Sequence, residues 1–218
     1  MKYNRIYTLC IALMTPWAFY KFIQSPTELW VTVGLIVVVY FYTDILSGFL
    51  HIILDNERSL DVPVIDGLAQ GFQNHHNDPR RIHEMTWYEH LYVMHLPLTI
   101  VFPIVVIVNQ PAGYLIYILL VISLHLMQMS HRWAHTPKSD VPEVVKVLQN
   151  VGFFLSRKAH GQHHNNVYDQ NFAIMNGWSN PILNRVVKIF GKSSHGWIAV
   201  FVIASLLILT CPAFIDFG

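Results

Sequence analysis

Five runs of mainly apolar residues divide this 218-residue chain, at Ile6–Phe22, Leu29–Leu54, Tyr88–Val108, Ala112–His131 and Trp197–Phe214. A helix of about 20 apolar residues crosses the roughly 30 Å hydrocarbon core of a bilayer. Backbone groups inside that core must pair within their own segment, so runs of this length and apolarity point to helices. The expected fold is all-α: a multi-pass membrane helical bundle of four to five transmembrane helices, with residues 1–218 forming a single membrane-embedded domain. Only 12% of the residues are charged, against about 25% in an ordinary soluble domain. Pro97 and Pro103 predict a kink in the third run. The first run follows Lys2 and Arg5 as a signal peptide would, but no small-x-small cleavage pattern comes after it, so it reads as an anchor.

Charge orients the spans. With the N-terminus in the cytosol and five crossings, thirteen Lys and Arg residues fall on the cytosolic side and only Lys21 on the other, as the positive-inside rule requires. Two long polar stretches, about 55–87 and 132–196, then face the cytosol. Within the second, "VPEVVKVLQNVGFFL" predicts a helix whose apolar stripe is Val144, Val145, Leu148, Val151, Phe154 and Leu155. That helix either lies on the membrane surface or packs into a core. The net charge of +1 leaves no basic excess for nucleic acid. Cys10 and Cys211, the only cysteines, exclude a disulfide framework and a thiolate metal site.

The anomaly is 13 histidines, nearly as many as all Lys and Arg together. Eight fall at the predicted cytosolic side: His51 near the end of the second run, His75 and His76 in "QNHHNDP", His131 and His135 in "HRWAH", and His160, His163 and His164 in "RKAHGQHH". On a helix, i,i+3 and i,i+4 spacing aims such pairs from one face. A lone helix-end histidine, or one isolated HxxxH, is most often a surface residue. Eight drawn from four segments to one membrane face point to a shared metal site. They exceed what one four-coordinate ion can use, so the number suggests two ions. A histidine-rich two-metal centre beside a bilayer suits oxygen activation on a lipid chain. Asp44 forms a stripe with Gly48, His51 and Asp55, and a carboxylate inside a span is a functional hypothesis by default. Asp44, Asp55 and Asp78 are candidates to bind the metal or orient the imidazoles. Asp78 and Pro79 read as the N-cap and first residue of a further helix with His83 in its next turn, and whether His83 reaches the site stays open. His90, His95, His125 and His195 lie outside the groupings and read as structural.

"DILSGFLH" at 44–51, "HHNDP" at 75–79, "HRWAHT" at 131–136, "RKAHGQHH" at 157–164 and "NGW" at 176–178 together resemble the plasmanylethanolamine desaturase family. That family is also known as the Kua-type lipid desaturase domain, and the plant palmitate trans-3-desaturase is a relative. The resemblance covers about 41–188, leaving the last apolar run at 197–214 as an addition. It implies a cytosolic-side di-iron centre, two iron ions held by His51, His75, His76, His131, His135, His160, His163 and His164, with O2 as co-substrate. It also implies a lipid substrate in the bilayer and a small electron donor, cytochrome b5-like or ferredoxin-like. The namesake product is the vinyl ether of a plasmalogen, formed from a 1-O-alkyl ether phospholipid. Acyl-CoA desaturases carry HxxHH in the first polar loop; here Phe72 stands three before His75, which agrees with the Kua type and makes His51 the extra ligand. The bundle should offer an apolar slot ending at the histidines, with the headgroup near Arg157 and Lys158. After "NGW" the chain departs from the eukaryotic pattern, so an acyl lipid substrate, or hydroxylation on the same site, stays open. The short termini suggest a bacterial inner membrane, or the endoplasmic reticulum in a eukaryote.

A haem protein would place histidine pairs deep in the bilayer, where only His125 lies. A transporter would need a polar path across it, and a zinc hydrolase of the HExxH kind has no motif here.

Overall fold

The computed structural model describes residues 5–63, 65–165, 168–192 and 194–214; Lys2, one of the topology-setting cations, lies outside them. The described residues form helices and irregular segments, with no strand among them. The helices are α1 (Arg5–Gln24), α2 (Leu29–Leu54), α3 (Asp66–Asn77), α4 (Arg81–Glu84), α5 (Trp87–Leu91), α6 (His95–Val108), α7 (Pro111–His135), α8 (Glu143–Asn150), α9 (Arg157–Asn165), α10 (Asn180–Phe190) and α11 (Ser194–Thr210). Five stretches are long and apolar enough to cross a membrane: α1, α2, Trp87–Val108, α7 and His195–Ala213. The all-α, five-span expectation therefore holds.

The third span is interrupted just before Pro97, whereas Pro103 lies inside the continuous α6. Pro97 would place its ring against the carbonyl of residue 93 in a continuous helix. The chain passes through a 3-10 turn at Tyr92–Met94, and α6 restarts at His95. There Pro97 sits in a first turn whose N–H groups have no intrahelical acceptor anyway. Thr86 opens α5 with a reciprocal capping box to Glu89.

The chain forms two compact units, one from Met1–Tyr40, Thr86–His125 and Ile203–Gly218, the other from Phe41–Met85 and Leu126–Val202. In the first, Trp17 packs edge-on against Phe102 and Tyr114, with ring centroids 5.5 and 5.4 Å away. His95 Nε2 lies 3.3 Å from His125 Nε2, and His95 Nδ1 lies 3.0 Å from Thr8 Oγ1. Cys10 and Cys211 are free thiols.

In the second unit, Ile52, Ile53 and Leu54 of α2 pack with Ala69, Phe172, Ala173, Leu183, Val187 and Trp197. A smaller cluster joins Val141, Val145 and Phe154 to Trp133. The predicted stripe at 141–155 is split: Val145 and Phe154 face this core, while Val144 and Val151 are exposed. The most unusual element is the non-helical segment 172–176, fully buried although it joins no sheet. A buried backbone must find partners, and here polar side chains supply them. Ser47 Oγ accepts from Ile174 N at 2.9 Å, Asn180 Oδ1 accepts from Ala173 N at 2.8 Å, and Ser130 Oγ donates to Met175 O at 2.7 Å while accepting from Leu155 N at 2.9 Å. Gly48 of α2 leaves room for this packing, since a Cβ there would meet Leu183 Cδ1 at 2.2 Å.

Candidate metal centre

All eight histidines marked out by spacing lie in the second unit. His51 sits one turn before the end of α2, and His131 and His135 occupy the last two turns of α7. His75 and His76 close α3, and His160, His163 and His164 line α9. The i,i+3 and i,i+4 spacings therefore fall on real helices.

Two groups result. His75, His135, His160 and His164 each offer a nitrogen within 4.8 Å of the others, as do the ligating atoms of Asp55, His76 and His163. Around the first group, His160 Nε2 lies 2.7 Å from His135 Nε2, 3.0 Å from His131 Nε2 and 3.2 Å from His164 Nε2. In the second, His163 Nε2 lies 3.3 Å from His76 Nε2 and 3.3 Å from Asp55 Oδ2. The His51 ring is between them, with centroids 5.6 Å from His131 and 5.5 Å from His163. Phe72, in the place of a histidine of the HxxHH box, packs edge-on against His51 at 4.9 Å.

The donor set fits metal ions. His163 Nδ1 lies 2.8 Å from Gln170 O, and a carbonyl only accepts, so the proton sits on Nδ1 and the Nε2 lone pair faces His76 and Asp55. The same reasoning places the His51 proton on Nδ1, 3.3 Å from Ser47 O, and leaves its buried Nε2 without a hydrogen-bond partner. His160 Nε2 meets three imidazole nitrogens and can donate at most one proton. Such convergence of lone pairs needs cations. Two imidazole nitrogens on one ion at about 2.1 Å stand about 3.0–3.4 Å apart, close to the separations here. Backbone carbonyls on the far ring nitrogens are the usual means of orienting metal-ligating histidines.

Burial favours the neutral, ligating form of several of these imidazoles. It lowers His75 and His160 far below the ordinary range, with neighbouring histidines adding to the effect. Burial, then His163, lowers His76 to about 3 and His164 to about 4. Asp55 is pushed up by its own burial, partly opposed by His163. A cation between the groups would reverse that.

The candidates Asp44, Asp78 and His83 fall outside the two groups. Asp44 belongs to neither group. Its Oδ1 accepts from Asn176 N (3.0 Å) and Gly177 N (2.9 Å), and its Oδ2 from Ser179 N (2.9 Å) and Ser179 Oγ (2.6 Å). The carboxylate is spent on the "NGWS" turn. Asp78 is exposed and caps the C-terminus of α3, its N–H bonded to Asn74 O. Pro79 disfavours helical backbone at the residue before it, so Asp78 ends a helix rather than starting one. His83 lies in neither group; its Nδ1 is 3.3 Å from Thr136 Oγ1 and its carbonyl accepts from Arg132. Arg157, expected near a headgroup, donates to Thr136 O at 2.7 Å.

Sequence reasoning missed Tyr168, which stacks on His76 at 3.9 Å from a left-handed backbone (φ 55°), and Ser47, Ser130 and Asn180, which hold the buried segment. Only Ser47, inside "DILSGFLH", had a motif around it.

Comparison with known proteins decides the family: the lipid desaturase domain matches residues 40–194. The chain belongs to the lipid desaturase domain family. Among its relatives, fatty acid desaturase 4, chloroplastic, of Arabidopsis thaliana is 31% identical over 152 residues, 69% of this chain and 47% of its own. The plasmanylethanolamine desaturase of Myxococcus xanthus is 26% identical over 168 residues, 72% of this chain and 57% of its own. Plasmanylethanolamine desaturase 1 of Mus musculus is 30% identical over 149 residues, 63% and 54%. The chain thus spans about half the length of the curated relatives it matches. No solved structure matches it. All eight histidines lie inside the matched region.

Proposed function

We propose that the chain is an O2-dependent lipid desaturase that introduces the vinyl ether double bond of a plasmalogen into a 1-O-alkyl ether phospholipid. The observation that carries the reading is the convergence of histidine nitrogens at 2.7–3.3 Å beside the ends of two apolar helices. His75, His135, His160 and His164 would hold one iron, and Asp55, His76 and His163 the other, with His131 beside the first group and His51 next to both. Bound there, the iron pair supplies the reduction of O2 and the oxidising power that removes two hydrogens from adjacent carbons. In balance, the alkyl chain gives up two hydrogens, a small electron donor gives two electrons, two protons enter, and O2 leaves as two waters. The chain's own residues orient the imidazoles through the carbonyls of Gln170 and Ser47. They also exclude water, since His51, His160 and His163 are all but fully buried. Asp55 sets a negative charge against the second group. The histidines would face the cytosol.

An acyl lipid is the second reading. It is favoured by the Arabidopsis relative, named a fatty acid desaturase and 31% identical.

The test is expression in a host without plasmalogens, fed 1-O-alkyl lipids, with acid-released aldehydes measured by mass spectrometry and a His163→Ala/His164→Ala control. Aldehydes from the wild type alone support the ether reading. A new double bond confined to ester-linked chains moves the activity to the acyl reading. Neither product, with iron loaded and a working donor, overturns desaturation and favours hydroxylation.

A further inference from the structure

α10 is amphipathic in an unusual sense, because it is apolar on two faces. Leu183 and Val187 enter the core with Phe172 and Trp197. The outward side carries Ile182 at 67%, Ile189 at 74% and Phe190 at 74% exposure, with Arg185 and Lys188 between them, also exposed. Large apolar side chains this exposed on a short helix call for a cover. Two observations say what it is.

The first is covalent. Three residues separate Phe190 from the start of α11, the last candidate span, so the two helix ends are at most about 15 Å apart. Trp197 Nε1 also donates to Gly191 O at 2.9 Å, fastening the first turns of α11 against the end of α10. Where α11 enters the bilayer, Ile189 and Phe190 are at its surface. The second is charge. From residue 170 to 214 the sequence has Arg185, Lys188 and Lys192 and no Asp or Glu. Lys192 donates to Tyr168 O, which leaves Arg185 and Lys188 to face outward beside the apolar ridge. Basic side chains flanking an apolar ridge are the signature of a helix lying in an anionic lipid interface.

We infer that α10 is an interfacial helix whose Ile182, Ile189 and Phe190 insert at the headgroup boundary, with Arg185 and Lys188 binding anionic phospholipid. It bridges the membrane surface and the buried segment. Asn184 Oδ1 accepts from Asn171 N and Asn180 Oδ1 from Ala173 N, both at 2.8 Å, and Phe172 between them packs 5.7 Å from the His163 ring. Docking of α10 therefore positions a wall of the histidine site. The inference does not depend on which lipid is desaturated.

The test uses the full chain with Cys10 and Cys211 replaced by Ser and a nitroxide at Ile189→Cys. It is reconstituted in phosphatidylcholine bilayers with and without 30% phosphatidylglycerol. Collision with O2, which concentrates in lipid, is compared with collision with a water-soluble nickel chelate. The expected result is a label reached by O2 and shielded from nickel, more strongly so with phosphatidylglycerol. Each of the two basic residues should contribute roughly fivefold to the docked-to-undocked ratio. Arg185→Gln/Lys188→Gln should abolish the phosphatidylglycerol dependence while keeping helix content. A label open to nickel in both bilayers overturns the inference, as does shielding that is insensitive to phosphatidylglycerol. A label shielded from both reagents, in proportion to protein density, would mean that a second copy covers the face and would also overturn it.

Discussion

Replacing Asp44 by Asn separates a ligand from a clamp. The native carboxylate accepts four hydrogen bonds, two on each oxygen. An amide can present its oxygen to Asn176 N and Gly177 N, but its NH2 then meets the Ser179 N–H. The two retained bonds fall from charged to neutral strength, a loss of about 1 kcal/mol each, and one buried N–H is orphaned at about 1–3 kcal/mol. Ser179 Oγ can rotate to accept from the new amide, which offsets little. The sum is roughly 3–5 kcal/mol, a large part of the 5–15 kcal/mol typical of a folded chain. At this chain length it corresponds to a fall of roughly 10 °C in melting temperature. Thermal unfolding of the purified protein in detergent, followed by circular dichroism, measures the first quantity. Elemental analysis of the folded fraction measures the second, and metal per chain should be unchanged. Asp55→Asn should do the reverse, lowering metal content with little effect on the metal-free fold, because the Asp55 carboxylate oxygens are buried without a hydrogen-bond donor. A melting temperature within 2 °C of wild type for Asp44→Asn, with metal per chain halved, would put Asp44 among the ligands and refute this account.

Other expectations follow from the same geometry. His160→Ala removes the nitrogen at the centre of the first group and should leave about one metal of two, held by Asp55, His76 and His163; complete loss would show that the groups do not bind separately. Gly177 has φ +82° and a Cβ there would stand 2.9 Å from Asn180 Nδ2, so Gly177→Ala should lower the melting temperature by several degrees, and a neutral result would remove the turn from the clamp. Ser130→Ala removes one hydrogen bond each from Met175 O and Leu155 N, which still bond each other at 3.0 Å, and should cost about 1–2 kcal/mol in thermal unfolding, an estimate that an unchanged stability would contradict. In the metal-free protein, folded His76 and His164 take up protons only near pH 3 and pH 4, whereas the unfolded chain does so near 6.5. The unfolded state binds more protons as pH falls from about 7 to 4, so the melting temperature of the metal-free protein should drop across that window, and a flat profile would show these imidazoles to be solvated.

The spans and the histidine cluster were legible because both rest on local rules. An apolar run has one spanning form, and HxxxH or HxxHH on a helix can only point one way. Asp55 was placed correctly, but the roles of Asp44 and Asp78 were not legible, for a reason that spacing cannot repair. A buried Asp inside a span requires cations or N–H donors, and a sequence does not say which it meets. For Asp44 the donors arrive from a turn more than 130 residues away. For Asp78 a local rule was available but was outweighed: the Asp-Pro pair suggested a helix start, while the backbone restriction before proline made it a helix end.

The segment 172–176 shows how the two kinds of information meet. Five buried residues with no sheet to join read as an ordinary short apolar run. Their burial is possible because Asp44 and Ser47 on α2, Ser130 on α7 and Asn180 on α10, together with the Leu155 N–H on Met175 O, supply the hydrogen bonds that a sheet would have supplied. Those residues look like candidate chemistry when taken singly, since polar groups in spans are costly. Taken together they fix the backbone that leads from Gln170, whose carbonyl orients His163, to Phe172, which packs on the same ring. The polar groups of the spans thus divide into those that would hold metal and those that hold the wall beside it, and the division follows their partners rather than their residue types.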